Sequence, residues 1–196
     1  MSDRDRILKK LRAHTPPPQE LPSLAQPWIT YADRSRQFAE ALQSVGGRCL
    51  FVPSREAIPA LLAEHPAWSS ARKVISLVPD VLPGNIDVAT ITDPHQLEDV
   101  DFAIARGQFG VAENGAIWLE HVSSTPRALY FIVQHLVLVL PAAELVDNMH
   151  QAYERLQFAG PSYGVFISGP SKTADIEQSL VIGAHGPRSL TVFCTP

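Results

Sequence analysis

Two stretches of this chain gather side chains of the types that bind ligands or move protons. The first is 168–188. It opens Ser168-Gly169-Pro170-Ser171-Lys172-Thr173-Ala174-Asp175-Ile176-Glu177 and, five residues later, continues Gly183-Ala184-His185-Gly186-Pro187-Arg188. The hydroxyls of Ser171 and Thr173, a lysine, two carboxylates and a histidine fall between the Gly169-Pro170 and Gly186-Pro187 turns, and Arg188 follows the second. The pattern suits an anion: if a helix starts near Thr173, its unpaired backbone N–H groups and positive dipole end favour a phosphate or carboxylate. Ser171 and Thr173 would add donors, and Lys172 and Arg188 the charge, Arg188 in bidentate fashion. His185, flanked by small residues in a turn, could carry a proton near neutral pH. The plainer alternative is a capped helix with Glu177 near capping-box spacing, and His185 and Arg188 tied to Asp175 and Glu177 in a structural polar cluster. The spacing is not that of a nucleotide-binding P-loop.

The second stretch is Ala112-Glu113-Asn114-Gly115. A carboxylate on a tight turn at a strand end could act as nucleophile or base. The alternative is a solvated hairpin turn, since Asn-Gly is a strong turn signal. The histidines at 14, 65, 95, 121, 135 and 150 show no metal-ligand spacing and read as surface or satisfied side chains.

These residues need elements to hold them. Residues 3–13 read as a short helix with Ile7, Leu8 and Leu11 on one face. Five prolines in 15–28 then make an extended connector, so 1–30 is expected to form an arm and 31–196 a domain. From Tyr31 the pattern alternates helix 32–45, strand 49–52, helix 55–64 and strand 74–78. A proline- and glycine-rich loop follows over 79–85, then a possible strand at 86–91 and a short helix over 94–99 capped by Asp93. Strands 101–105 and 116–119 flank the Asn-Gly turn as a candidate hairpin. Residues 126–132 fit helix or strand. His135–Leu140 is a continuous apolar strand of the buried kind. The spacing predicts a helix over 142–157, a strand over 163–168, a helix over 173–182 and a last strand over 190–194. Alternation of this kind predicts an α/β domain, with a mostly parallel sheet and helices on both faces. In such sheets ligands sit beyond the carboxyl ends of the strands, which selects loops 79–85, 107–115 and 168–175.

The bulk numbers exclude several classes. A net charge of −4 with dispersed charges argues against nucleic acid. The longest strongly apolar run, 136–140, is too short to span a bilayer. The amino terminus is charged, without the apolar segment of a signal peptide. The two cysteines, Cys49 and Cys194, lie in apolar runs and read as reduced core thiols, so a cytoplasmic location is expected. With no Cys/His cluster, no structural metal and no iron–sulfur cluster are expected in this chain.

The two motifs Gly169–Glu177 and Gly183–Arg188 together resemble the C-terminal signature of the LUD-domain family, in its lactate-utilisation protein C branch. The likeness extends to the N-terminal helix, the proline-rich segment and the final strand. Where that family commonly has Ala-Glu-Thr-Gly-Thr, this chain has Ala112-Glu113-Asn114-Gly115-Ala116, keeping the glutamate and glycine and replacing both threonines. The resemblance implies a Rossmann-like domain similar to the sugar-phosphate isomerase and CoA-transferase-like group. It implies a role in oxidising L-lactate to pyruvate beside iron–sulfur partner proteins, which would hold the redox centres. On that reading the chain is an accessory subunit that binds a small carboxylate or an anionic cofactor through Gly169, Ser171, Lys172, Thr173, Glu177 and Arg188, with Asp175 and His185 orienting the site. In the related CoA-transferases a glutamate in a similar Glu-Asn-Gly setting is the nucleophile, and Glu113 resembles it. An independent acyl- or CoA-transferring enzyme is therefore one alternative, and a non-catalytic interaction module is another.

Overall fold

The computed structural model describes residues 2–17, 19–120, 125–157, 163–173 and 181–196. In chain order the elements are α1 (Asp3–Ala13), α2 (Arg34–Ser44), β1 (Arg48–Phe51), α3 (Ile58–Ala63), β2 (Val74–Ser76) and β3 (Phe102–Arg106). They continue with β4 (Phe109–Val111), β5 (Ala116–Glu120), α4 (Leu129–Ile132), β6 (His135–Pro141), β7 (Leu145–Val146) and α5 (Met149–Arg155). The last four are β8 (Gly164–Ile167), β9 (Lys172–Thr173), β10 (Val181–Ile182) and β11 (Ser189–Thr195).

The centre is an entirely parallel sheet in the order β1-β11-β6-β3-β2. Its strands read as apolar runs because both faces are covered. Alternation sorts the side chains. Phe102, Ile104, Val137, Val139 and Phe193 face α3 and the 3-10 turn at Trp68–Ser70. Ala103, Ala105, Leu136, Leu138, Leu140 and Val192 face the other way, towards Phe38 and Leu42 of α2 and Leu129 of α4. On that second face a smaller mixed sheet, β7-β4-β5-β8, contributes Ile117 and Leu119 to the same core. Thus helices do cover both faces, but a second sheet shares one of them.

α2 forms where its caps and apolar stripe agree. Asp33 accepts a hydrogen bond from the Arg36 N–H at 2.9 Å, and Phe38 and Leu42, one turn apart, are fully buried. Gly46, at φ +86°, ends the helix by bonding back to Gln43. Cys49 and Cys194, on adjacent strands, lie with their sulfurs 3.6 Å apart as free thiols.

Three expected elements fold differently. Strand 101–105 does not form the hairpin with 116–119. It stays in the central sheet as β3, and the chain leaves at Gly107 to make the hairpin from β4 and β5. A Cβ on Gly107 would lie 2.5 Å from Ile117 Cγ2, so that exit needs glycine. The expected helix 142–157 is interrupted. Leu145, Val146, Asp147 and Asn148 are all at most 4% exposed, and four consecutive buried positions do not fit one helical face. Leu145–Val146 instead pairs with Gly110–Val111, and Asn148 caps the shorter α5 by accepting from the Gln151 N–H. Finally, the described ends of the expected helix 173–182, Thr173 and Val181–Ile182, lie in strands: Lys172–Thr173 pairs antiparallel with Val181–Ile182. Residues 86–91 contribute one bridge, at Ile86, and a 3-10 turn rather than a strand. Residues 94–97 form the expected short helical turn, with Asp93 and Gln96 closing a capping box.

Candidate functional site

The described parts of the stretch, 168–173 and 181–188, are built against the amino-terminal edge of the central sheet. Arg188 immediately precedes β11, and its N–H donates to the Gln134 carbonyl just ahead of β6. The carboxyl-edge rule therefore points to the wrong end for this stretch, because β8, which feeds it, belongs to the second sheet. With Thr173 in a strand, no helix N-terminus is available at that residue for an anion; the polar groups must work by themselves.

The chain reaches the site from β8. Ser168 Oγ donates to the Asn114 carbonyl at 2.8 Å, tying the stretch to the Glu113 turn. Gly169 follows at φ +80°, where a Cβ would stand 2.5 Å from the Val45 carbonyl at the end of α2, so both the conformation and the close pass require glycine. Ser171 is then clamped from two sides. Its N–H donates to the Pro187 carbonyl and its own carbonyl accepts from the Gly183 N–H, both at 2.9 Å. Gly186 closes the arrangement: a Cβ there would lie 2.7 Å from the Phe131 carbonyl and 2.9 Å from Ser171 Cβ.

These contacts border an open cavity of about 230 Å³. Gly169, Ser171 and His185 line it on the motif side, and Tyr130, Phe131 and Phe166 supply aromatic walls. Leu136 and Leu190, the second residues of β6 and β11, form part of its boundary. Tyr130 is 3% exposed, and burial pushes its phenol above the ordinary value, so it remains a neutral donor. A small ligand with an apolar body and a polar end fits these walls, with the Ser171 hydroxyl and the exposed His185 ring as polar handles.

The other expected site residues separate. Lys172 and Thr173 are exposed on β9. Arg188 lines a different cavity, beside Asp101 and His135. Asp175 and Glu177 lie outside the described residues. Glu113 is exposed and does not line the Ser171 cavity; its Oε2 accepts from the Met149 N–H at 2.9 Å, the first free donor of α5. That bond gives Glu113 a capping role. Among the described residues no group of three His, Cys, Asp or Glu side chains is placed to hold a metal ion. Likewise no helix there is long and apolar enough to cross a membrane.

Sequence reasoning missed the aromatic wall from α4, because residues 126–132 carried no decisive periodicity. His65 and His135, read as surface or satisfied side chains, are hydrogen-bonded and half-buried around Ser189, a grouping the sequence did not suggest. The signal for that contact is register: Ser189 and His135 open adjacent parallel strands.

A parallel α/β sheet with a small mixed sheet on one face, carrying a glycine–proline motif folded round a cavity, defines the class of domain. Residues 35–194 match the LUD domain model, and the chain belongs to that family. It is 29% identical over 170 residues to lactate utilization protein C of Geobacillus kaustophilus, covering 81% of this chain and 67% of that protein. An uncharacterized protein of Neisseria meningitidis serogroup B is 29% identical over 170 residues, covering 85% of this chain and 69% of the relative. Lactate utilization protein C of Shouchella clausii is 37% identical over 97 residues, and that match spans 47% of this chain and only 42% of the relative's length. A solved structure of a DUF162 family protein from Deinococcus radiodurans superposes with a TM-score of 0.63 at 19% identity, covering 85% of this chain and 100% of that one, and so shares the fold.

Proposed function

We propose that this chain is an accessory subunit in the oxidation of L-lactate to pyruvate, binding a small carboxylate or an anionic cofactor beside iron–sulfur partner proteins. The observation that carries the reading is the motif itself. Both halves lie within the family-matched residues, and Gly169, Ser171, Gly183 and Gly186 hold them together around the Ser171 cavity. Relatives that match the chain are named for lactate utilisation. The aromatic wall suits the apolar part of a cofactor, and Ser171 and His185 its polar end.

Removing two electrons from lactate needs an acceptor. An iron–sulfur cluster takes about four cysteine ligands, and these 196 residues hold two, so the redox centre is assigned to the partners. The arm supplies a means of reaching them. α1 buries none of its residues, and Ile7, Leu11, Leu21 and Leu24 are all more than half exposed. The arm is latched to the domain where Trp28 stacks on His150 and the Ile29 carbonyl accepts from Asn148. We assign that apolar face to the partner contact.

The test is growth. Deleting the gene should abolish growth on L-lactate as sole carbon source and leave growth on pyruvate intact, with the wild-type gene restoring it. Normal growth of the deletion strain on lactate would overturn the reading.

A further inference from the structure

A second constellation lies at the same edge of the sheet, on its opposite face. Ser189, His135 and Phe102 are the first residues of three adjacent parallel strands and pair side by side. Their side chains share the face covered by α3 and Trp68. The His135 ring stacks on Phe102, with centroids 4.8 Å apart, and meets the His65 ring edge-on at 4.9 Å.

The hydrogen bonds suit one arrangement of the ring protons. His65 Nδ1 accepts from the Ala67 N–H at 3.2 Å, so neutral His65 carries its hydrogen on Nε2. That nitrogen faces Ser189 Oγ at 3.3 Å and donates to it. The serine hydroxyl has a hydrogen to give His135 Nδ1 at 2.8 Å, and in that arrangement the His135 hydrogen sits on Nε2. Among the described residues the one buried side-chain nitrogen or oxygen without a partner is Thr195 Oγ1. His135 Nε2 also has no partner there, so it is accessible, and His135 lines a cavity of about 470 Å³ with Asp101 and Arg188. Burial favours the neutral ring, as do the neighbouring His65 and Arg188, while Asp101 pulls the other way; the net effect holds His135 below the ordinary histidine value. Asp101 Oδ2 is fixed by the N–H groups of Arg72 and Lys73, at 2.7 and 2.9 Å.

A cation, an N–H donor and a carboxylate acceptor around one cavity match a molecule with a carboxylate and a neighbouring hydroxyl. We propose that this cavity is a 2-hydroxy-acid site: Arg188 takes the carboxylate, and the hydroxyl accepts from His135 Nε2–H and donates to Asp101. This rests on the lactate reading above and names the face of the motif that meets the hydroxy acid. His65 and Ser189 are positioning residues that hold His135 in the donating tautomer. Glu98 and Asp99 also line the cavity, Asp99 paired with Lys73, so the site favours a monocarboxylate over a dianion. A 2-oxo acid has no hydroxyl hydrogen for Asp101 and binds more weakly than the hydroxy acid.

The test is nitrogen NMR on the full chain with labelled histidine, titrated with L-lactate, pyruvate and L-malate. Both His65 and His135 should show neutral rings protonated at Nε2. L-lactate should shift His135 and leave His185 unmoved, with pyruvate and malate weaker. Arg188→Gln should weaken lactate binding about tenfold or more with the tautomers unchanged. Ser189→Ala should weaken it while releasing His135 into a mixture of tautomers, a signature that simple loss of stability would not produce. A His135 proton on Nδ1, or a lactate titration that leaves His135 unmoved, overturns the inference. If lactate shifts His185 instead, the inference fails and the lactate reading stands. If no histidine shifts and the deletion strain grows on lactate, both fail.

Discussion

Gly186→Ala is the most direct perturbation of the motif. The added methyl would lie 2.7 Å from the Phe131 carbonyl and 2.9 Å from Ser171 Cβ, against backbone on one side and a clamped residue on the other. Neither neighbour can yield cheaply: Phe131 O belongs to α4, and Ser171 is bonded to Gly183 and Pro187. Overpacking of this kind costs about 2 kcal/mol. For a domain of this size each kcal/mol lowers Tm by about 2–4 °C, so a drop of about 4–8 °C is expected in calorimetry. The same strain pries Ser171 from the 183–188 turn and widens the cavity between them. Ala184→Ser, at an exposed neighbouring position, should leave Tm within about 1 °C and serves as the control. If Gly186→Ala melts with the wild type, α4 and the motif do not pack against each other and do not bound a common cavity.

Three other perturbations test the supporting structure. Asp147, 2% exposed, accepts from the Tyr31 N–H and from Arg34, both at 3.0 Å. Asp147→Asn should lower the denaturation midpoint by the equivalent of about 1.5–3 kcal/mol, towards the lower end because Arg34 is half-exposed. Burial alone would raise the Asp147 carboxyl, but the Tyr31 and Arg34 bonds outweigh it and hold it below the ordinary 3.8. Its contribution is therefore present above that pH and lost as pH falls through the folded-state value, and the Asn variant should flatten that acid limb. His65 and His135 titrate below the ordinary 6.5, His65 through burial and Arg48, His135 through burial, His65 and Arg188 against Asp101. Their neutral forms stabilise the fold above that pH, and stability should fall as pH drops below it, less steeply in His65→Gln with His135→Gln. Trp28→Ala removes the stack on His150, whose centroids are 3.4 Å apart, and should speed protease cleavage within 15–27 about fivefold while the domain core stays resistant.

Much of the parallel sheet was legible because its strands are apolar runs bounded by turn residues. His135–Pro141 is the clearest, and Asp33 and Gly46 mark the ends of α2. Helical periodicity misled at 142–157, where apolar residues recur at helical spacing but a parallel pairing with Gly110–Val111 wins. Local pattern does not contain that long-range partner. The same limit explains 173–182: its described ends pair with each other as strands. The motif residues could be picked out, yet their grouping could not. Ser171 and His185 face the aromatic wall of α4, whereas Arg188, three residues further on, reaches the opposite cavity. Such a division follows from where a turn meets the sheet, which spacing does not encode. Ser189 and His135 are 54 residues apart and meet only through register.

Complementation with a plugged cavity separates a ligand site around Ser171 from a structural polar cluster. Ser171→Leu places an apolar side chain into the space bounded by Phe131, Phe166 and His185. The variant should fold, as judged by circular dichroism and melting, yet fail to restore growth of the deletion strain on L-lactate. Full growth on lactate with the folded Leu variant would contradict the ligand site.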